Sequence, residues 1–141
     1  MRRTTASVNG ISLDVRSMGD PGAPLLLFLH GFPEHAGGWN EILPAFAGRY
    51  HAVAPNQRGY GLSSKPQGVE AYRIKHLVRD MLGLAEQLSP DRPYSVVAHD
   101  WGASVGYALA IAAPRRVARL AVTNGVHPGP FQRALIEDEA Q

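Results

Sequence analysis

The chemistry of this chain centres on Asp100. It lies in Ser95-Val96-Val97-Ala98-His99-Asp100-Trp101-Gly102-Ala103-Ser104-Val105-Gly106. A short β-branched run feeds a tight turn there, and a helix rich in small residues follows. That is the strand–turn–helix pattern of a nucleophile elbow, with aspartate at the position more often held by serine. The turn is sharp, so its neighbours must be small: Ala98 stands two residues before Asp100 and Gly102 two after it. A carboxylate with a reference pKa of about 3.9 is ionised at neutral pH and needs no base in order to attack. It is a poor nucleophile toward an amide or ester carbonyl and a good one toward an sp3 carbon bearing a leaving group. The product is an ester on the protein, which water must then cleave. Epoxides and alkyl halides are the substrates such chemistry suits. An aspartate at a strand-to-helix junction also serves simply as a helix N-cap, and residue types alone leave both readings open.

A second element stands beside this one. His30-Gly31-Phe32-Pro33 follows the apolar run Leu25–Leu29. Gly31 admits a backbone turn that a β-carbon would block. The Phe32 N–H is then placed as one oxyanion donor and the Trp101 N–H as the other, both aimed at the carbonyl of the esterified aspartate. Pro33 admits a cis bond, with trans expected. Trp101 has two readings, an indole N–H directed into the pocket or a large apolar wall. His30 is expected to bond to nearby backbone, and His99 to point away from the nucleophile side of the elbow. Neither stands in the place of a base. Arg58 is read as a tie between carbonyls and carboxylates, and His35, His51 and His76 as solvated or structural.

These groups need a frame that brings them together. Thr4–Val8 and Ser12–Val15 read as strands joined by Asn9-Gly10, a pair that tolerates φ > 0 and signals a hairpin. Leu25–Leu29 and His51–Ala54 are apolar without alternation, as strands covered on both faces are. Trp39–Arg49 is expected to form a helix between them. Ile74–Leu88 carries an apolar stripe of helical period at Ile74, Leu77, Val78, Met81, Leu84, Ala85 and Leu88. The elbow helix should run to about Ala113, before Pro114. Val117–Thr123 reads as a further strand and Phe131–Glu139 as the start of a helix. Helices alternating with buried strands predict an α/β open sheet whose site lies beyond the C-terminal strand ends. His30, Pro55 and Asp100 all fall at such ends.

Composition narrows the classes. With 141 residues, 45% apolar and 18% charged, the chain reads as a globular domain with a real core. The formal charge is +2 and the arginines are scattered, which gives no footprint for nucleic acid. There is no cysteine, hence no disulfide framework and no thiolate site. Met1-Arg2-Arg3 is followed by no apolar signal-peptide segment. The longest apolar run is too short to span a membrane, and a cytoplasmic location is expected. No Gly-x-Gly-x-x-Gly opens a helix after the first parallel strand, which argues against a dinucleotide cofactor. No His-x-x-x-His pair on one helix suggests a metal. No cofactor and no metal ligands are assigned.

In order and spacing, His30-Gly31-Phe32-Pro33-Glu34, Asn56-Gln57-Arg58-Gly59-Tyr60-Gly61-Leu62-Ser63-Ser64, His99-Asp100-Trp101-Gly102-Ala103 and Asn124-Gly125-Val126-His127-Pro128 resemble the α/β-hydrolase-fold epoxide hydrolases. The resemblance covers nearly the whole chain from Val8 onward. It implies Asp100 as the nucleophile and Phe32 and Trp101 as the oxyanion-hole amides, with His30, Gly31, Pro33, His99 and Gly102 in support. Haloalkane and haloacetate dehalogenases are near relatives. Haloalkane dehalogenases usually carry Asn after the His-Gly pair, where Phe32 stands here. Fluoroacetate dehalogenases usually carry Arg after the nucleophile, where Trp101 stands here. Both departures favour an epoxide as substrate and leave a dehalogenase as the alternative. Asn56 replaces an aspartate that many relatives carry.

The resemblance also implies tyrosines on a helical cap that protonate the epoxide oxygen, and a late acid–histidine pair that activates water. No stretch of these 141 residues matches those parts. The chain is therefore expected to be the N-terminal part of the architecture, with 1–130 a partial core domain and 131–141 the start of a cap or linker helix. On that expectation it carries the alkylating half of the machinery, and turnover needs the rest. Val117–Thr123 should form an open edge, favouring self-association or a complementing chain. A non-catalytic fragment, or one half of a two-chain hydrolase, is the reading from another class.

Overall fold

A computed structural model describes residues 1–139. Six strands form one sheet: β1 (Arg2–Val8), β2 (Ile11–Met18), β3 (Leu25–Leu29), β4 (His51–Pro55), β5 (Tyr94–His99) and β6 (Val117–Thr123). Their spatial order is β1-β2-β4-β3-β5-β6. The β1–β2 hairpin turns on Asn9 and Gly10, both at positive φ, and pairs antiparallel onto β4. β4, β3, β5 and β6 run parallel. β2 extends to Met18, three residues beyond the expected Val15, because Arg16 and Ser17 pair with β1 and all of Arg16–Met18 pair with β4. That long-range pairing leaves no mark on local alternation.

The central parallel strands β3 and β4 are buried on both faces, whereas β6 is partly exposed, and the side chains of β3 alternate between two cores. Leu25, Leu27 and Leu29 of β3 face a core with Leu13, Val15, Val53, Val96 and two helices. Those helices are α2 (Ile74–Leu88) and α3 (Trp101–Ala112). Val78, Met81, Leu84 and Ala85 supply the buried stripe of α2. Leu26 and Phe28 face the opposite core with Ala36, Leu43, Ala52 and Ala54, and with the rings of Trp39, Phe46 and Tyr50 packed against it. Truncation of a side chain such as Phe28, buried among aromatic rings, costs about 3–5 kcal/mol in comparable cores.

The expected helix over Trp39–Arg49 does not form as one element. A 3-10 turn at Ala36–Trp39 is followed by a single α-turn, α1 (Leu43–Phe46). Ile42 N–H bonds to Trp39 O and Ala45 N–H to Ile42 O, the i→i+3 pattern. The reason is Pro44, which lies in the first turn of α1 and offers no N–H to a turn preceding it. A second 3-10 turn, Val69–Tyr72, precedes α2. The last helix, α4 (Pro128–Glu139), begins three residues before the expected Phe131, since proline suits the first position of a helix. Among the described residues β6 pairs with β5 alone, so it is an edge, as expected.

The chain order sets the place of the site. From β3 the chain moves to β4 on one side and later to β5 on the other, passing through elements on opposite faces of the sheet. A crevice opens at such a reversal, at the C-terminal strand ends. Asp100 and His30 lie at this crevice.

Candidate active site

Asp100 occupies the corner between β5 and α3 with φ 52° and ψ −121°. That is the first-corner geometry of a type II′ turn, which favours glycine. The Ala103 N–H bonds to Asp100 O at 2.9 Å and opens the first turn of α3. Although Asp100 is the residue before the helix, its side chain makes no capping bond to α3. The carboxylate instead accepts the Phe32 N–H at 2.9 Å on Oδ1. The simple N-cap reading therefore fails on geometry. The Phe32 amide first, then the neighbouring Trp101 amide, hold the carboxyl below the usual carboxylate range, so it is ionised at neutral pH.

Gly31 makes this approach sterically feasible. A β-carbon there would lie 2.5 Å from Asp100 Cβ and 2.6 Å from its Oδ1. Gly102, in the first turn of α3, lies against the strand end: a β-carbon would come within 2.7 Å of His30 O. The Phe32–Pro33 peptide is cis, against the expectation of trans. The isomers of an X-Pro bond differ by only about 0.5–1 kcal/mol, so the surrounding turn decides between them.

His30 is buried and committed to the backbone. Its Nδ1 faces Gly31 O at 2.9 Å, and its Nε2 accepts the Gln57 N–H at 3.1 Å. Burial pushes its pKa down, so it is neutral. With both ring nitrogens engaged it has no free site for a proton from water. His99 turns from the Asp100 carboxylate to Glu34, with Nδ1 donating to Oε2 at 3.0 Å. The same Glu34 oxygen accepts the Gly31 N–H at 3.1 Å. Glu34 thus joins the loop after β3 to the end of β5, and the His99 bond, then the Gly31 amide, keep its carboxyl low. Sequence reasoning places Glu34 in a motif and gives it no role. The signal is an acidic residue three positions after Gly31, but its partner lies 65 residues away.

The loop after β4 is fixed by its own polar groups. Arg58 donates from Nε and Nη2 to both Asp80 oxygens at 2.7 Å, and from Nη1 to Ala71 O at 3.1 Å. This is the tie expected from the sequence. Asp80 also accepts Asn9 Nδ2 at 2.8 Å, linking loop, helix α2 and hairpin. Asn56 donates to Asp14 at 2.6 Å and accepts the Ala36 N–H at 2.7 Å.

Trp101 and Phe32 expose their rings above the crevice, at 64% and 62%. Asp100, Trp101, Ser104, Asn124, Gly125 and Val126 line a cleft of about 200 Å3. Tyr60 lies nearby, its ring edge-on to His30 at 4.7 Å. Burial first, then the Asp100 charge, push its phenol pKa up. Among the described residues no three His, Asp or Glu groups converge on a metal position, and no helix is long and apolar enough to cross a membrane. An ionised carboxylate on a strained corner, with the Phe32 amide on it and an open cleft before it, can attack an electrophilic carbon.

The comparisons with known proteins agree with this geometry. The family model described as alpha/beta hydrolase fold matches residues 24–139. An AB hydrolase superfamily protein, YfhM, of Bacillus subtilis is 42% identical over 123 residues, 86% of this chain and 43% of the relative. Epoxide hydrolase A of Mycobacterium tuberculosis is 45% identical over 114 residues, 80% of this chain and 35% of the relative. A mutant epoxide hydrolase of Bacillus megaterium, complexed with its product (R)-3-[1]naphthyloxy-propane-1,2-diol, superposes with TM-score 0.89 at 38% identity. The match covers 96% of this chain and 47% of that one. The chain thus spans less than half the length of these relatives. With a family model matching from the first buried parallel strand through the last helix, the chain belongs to the α/β-hydrolase family.

Proposed function

We propose that this chain carries the alkylating centre of an epoxide hydrolase. Asp100 attacks a ring carbon of an epoxide. A carboxylate oxygen–carbon bond forms as the ring carbon–oxygen bond breaks, and the ring oxygen leaves as an alkoxide that takes up a proton. Water then adds to the ester carbonyl, the diol departs and the carboxylate is restored. The Phe32 and Trp101 N–H groups stabilise the oxyanion of that second step. His30, Gly31, Pro33, His99 and Gly102 hold the two turns in register. The proton donor and the base that activates water come from cap and late segments, with 1–130 as core and 131–141 leading to the cap. The setting is the cytoplasm, and the β6 edge is the surface for self-association or a complementing chain.

The observation that carries this reading is the Asp100 carboxylate lying on the Phe32 backbone amide of another loop instead of capping its helix. Apolar epoxides are favoured, since a matched enzyme is described with an aryloxy diol product. The test is labelling of the 141-residue chain with styrene oxide, read by mass spectrometry under denaturing conditions. One epoxide mass is expected on the peptide holding Asp100, and none in Asp100→Asn. An unlabelled wild-type chain, or equal labelling of the variant, overturns the proposal. Halide release from a haloacetate with no epoxide labelling would favour the dehalogenase alternative.

A further inference from the structure

We infer that the junction of Asp100 with Trp101 is a self-modification site. Once Asp100 carries an ester, the Trp101 backbone nitrogen closes on its Cγ, expels the diol and leaves a succinimide that silences the chain. The inference rests on the epoxide reading for the ester and adds the fate of that ester when water is slow to cleave it.

Torsion is the first argument. A succinimide is a five-membered ring of Cγ, Cβ, Cα, the Asp100 carbonyl carbon and the Trp101 nitrogen. It closes when the Cα–Cβ bond eclipses the C–N bond to the next residue. On an L residue Cβ sits a third of a turn from the backbone nitrogen, so the eclipse falls at ψ of about −120°. Asp100 has ψ −121°. Helices and strands hold ψ far from this value. The corner that presents the carboxylate has thus already made the backbone rotation that ring closure needs, which otherwise costs conformational entropy.

The attacking nitrogen is the second. Trp101 is the first residue of α3, so its N–H has no acceptor within the helix. Among the described residues no backbone carbonyl outside the helix accepts it either. The same amide helps to keep the Asp100 carboxyl ionised, so the two groups are neighbours. The positive end of the α3 dipole favours loss of the amide proton. The Phe32 N–H, 2.9 Å from Oδ1, stays in place to hold the oxyanion as nitrogen adds to Cγ.

The leaving group is the third. A free carboxylate has none, so Asp100 is stable until it is esterified. In the ester the N–Cγ bond forms and the acyl C–O bond breaks. Hydroxide takes the Trp101 amide proton, and the departing alkoxide takes a proton from water. A second water opens the imide at either carbonyl, giving Asp100 again or an isoaspartate with one more carbon in the backbone. His30 and His99 are engaged elsewhere and do not direct water to the ester first.

The test has two arms, both on the 141-residue chain. In the first, the styrene oxide adduct is held at neutral pH and followed by mass spectrometry. A species lighter than the unlabelled chain by one water is expected, and then isoaspartate in the tryptic peptide 80–115. The second arm uses Asp100→Asn, which needs no epoxide because its amide leaves as ammonia. The folded variant should convert position 100 to aspartate and isoaspartate roughly tenfold faster than the same chain unfolded in urea, the scale of fixing one residue's backbone in advance. The peptide 80–115 has no asparagine of its own, and its fragment spectrum separates position 100 from Gln87. An ester that persists, or that returns only ordinary aspartate, overturns the inference. So does an Asp100→Asn chain that converts no faster folded than in urea. The two readings fail separately. Labelling of Asp100 with neither imide nor isoaspartate keeps the epoxide chemistry and removes the imide. No labelling, with fast conversion of the folded variant, removes the epoxide chemistry and keeps the junction as an imide former.

Discussion

The loop after β3 and the loop after β4 leave neighbouring strands at the same end of the sheet. The first holds Phe32 at 62% exposure and turns its backbone N–H toward another loop's carboxylate. The second buries Asn56, Gln57, Arg58 and Ser63 to 5% or less and satisfies their side chains internally. One loop thus offers its polar groups outward, while its neighbour uses them to fix the frame. The two are joined through His30, which receives the Gln57 N–H and whose own carbonyl accepts the Gln57 amide. The chemistry of the exposed loop therefore depends on the buried one. Groups that never touch a substrate can matter more to the fold than those that do.

The largest effect should come from the buried loop. Asp80→Ala leaves the Arg58 guanidinium, 5% exposed, without its carboxylate. Breaking such a pair costs about 3–5 kcal/mol, which urea denaturation should register. A loss under about 1 kcal/mol would mean that water reaches the guanidinium and the frame is softer than described.

An intermediate effect belongs to Gly31→Ala. The added methyl meets Asp100 Cβ at 2.5 Å, and overpacking of this kind costs about 1–3 kcal/mol. The Phe32 N–H must then withdraw from the carboxylate. Epoxide labelling of Asp100 should fall more steeply than stability. Equal labelling by the variant would show that the exposed loop is not needed for attack.

The smallest effect is a displaced acid limb. The folded pKa of Asp100 lies below its ordinary value because of the Phe32 and Trp101 amides. The stabilisation is therefore present above the ordinary carboxylate pKa and is lost as pH falls through the depressed one. The rate of labelling against pH should reach its half-maximum below the roughly 3.9 of a free carboxylate. A midpoint at or above that value would disconnect the amides from the charge.

Much of this arrangement is legible in the residues. The Asn9-Gly10 hairpin, the buried parallel strands, the period of α2 and the small residues around Asp100 are local signals, and the structure follows each. The Arg58 tie is legible in kind, though its partner Asp80 is not. What stays hidden rests on pairings far apart in the chain or on competition within a short segment. Glu34 finds His99 across 65 residues. Arg16–Met18 extend β2 between β1 on one side and β4, far away in the chain, on the other. The segment around Pro44 has helical spacing of apolar residues, yet the missing N–H divides it into turns. The side chains lining the cleft of Tyr60, Tyr72, Leu77 and Trp101 come from four separate elements, so no single stretch displays it.

The backbone at Asp100 sits where glycine would be more comfortable. Mutational drift under selection for folding alone would carry this position toward glycine and erase the carboxylate. Selection for stability and selection for reactivity therefore pull in opposite directions at one residue. An engineer seeking a hardier scaffold would find a stabilising substitution at position 100, and it would be the one that silences the site.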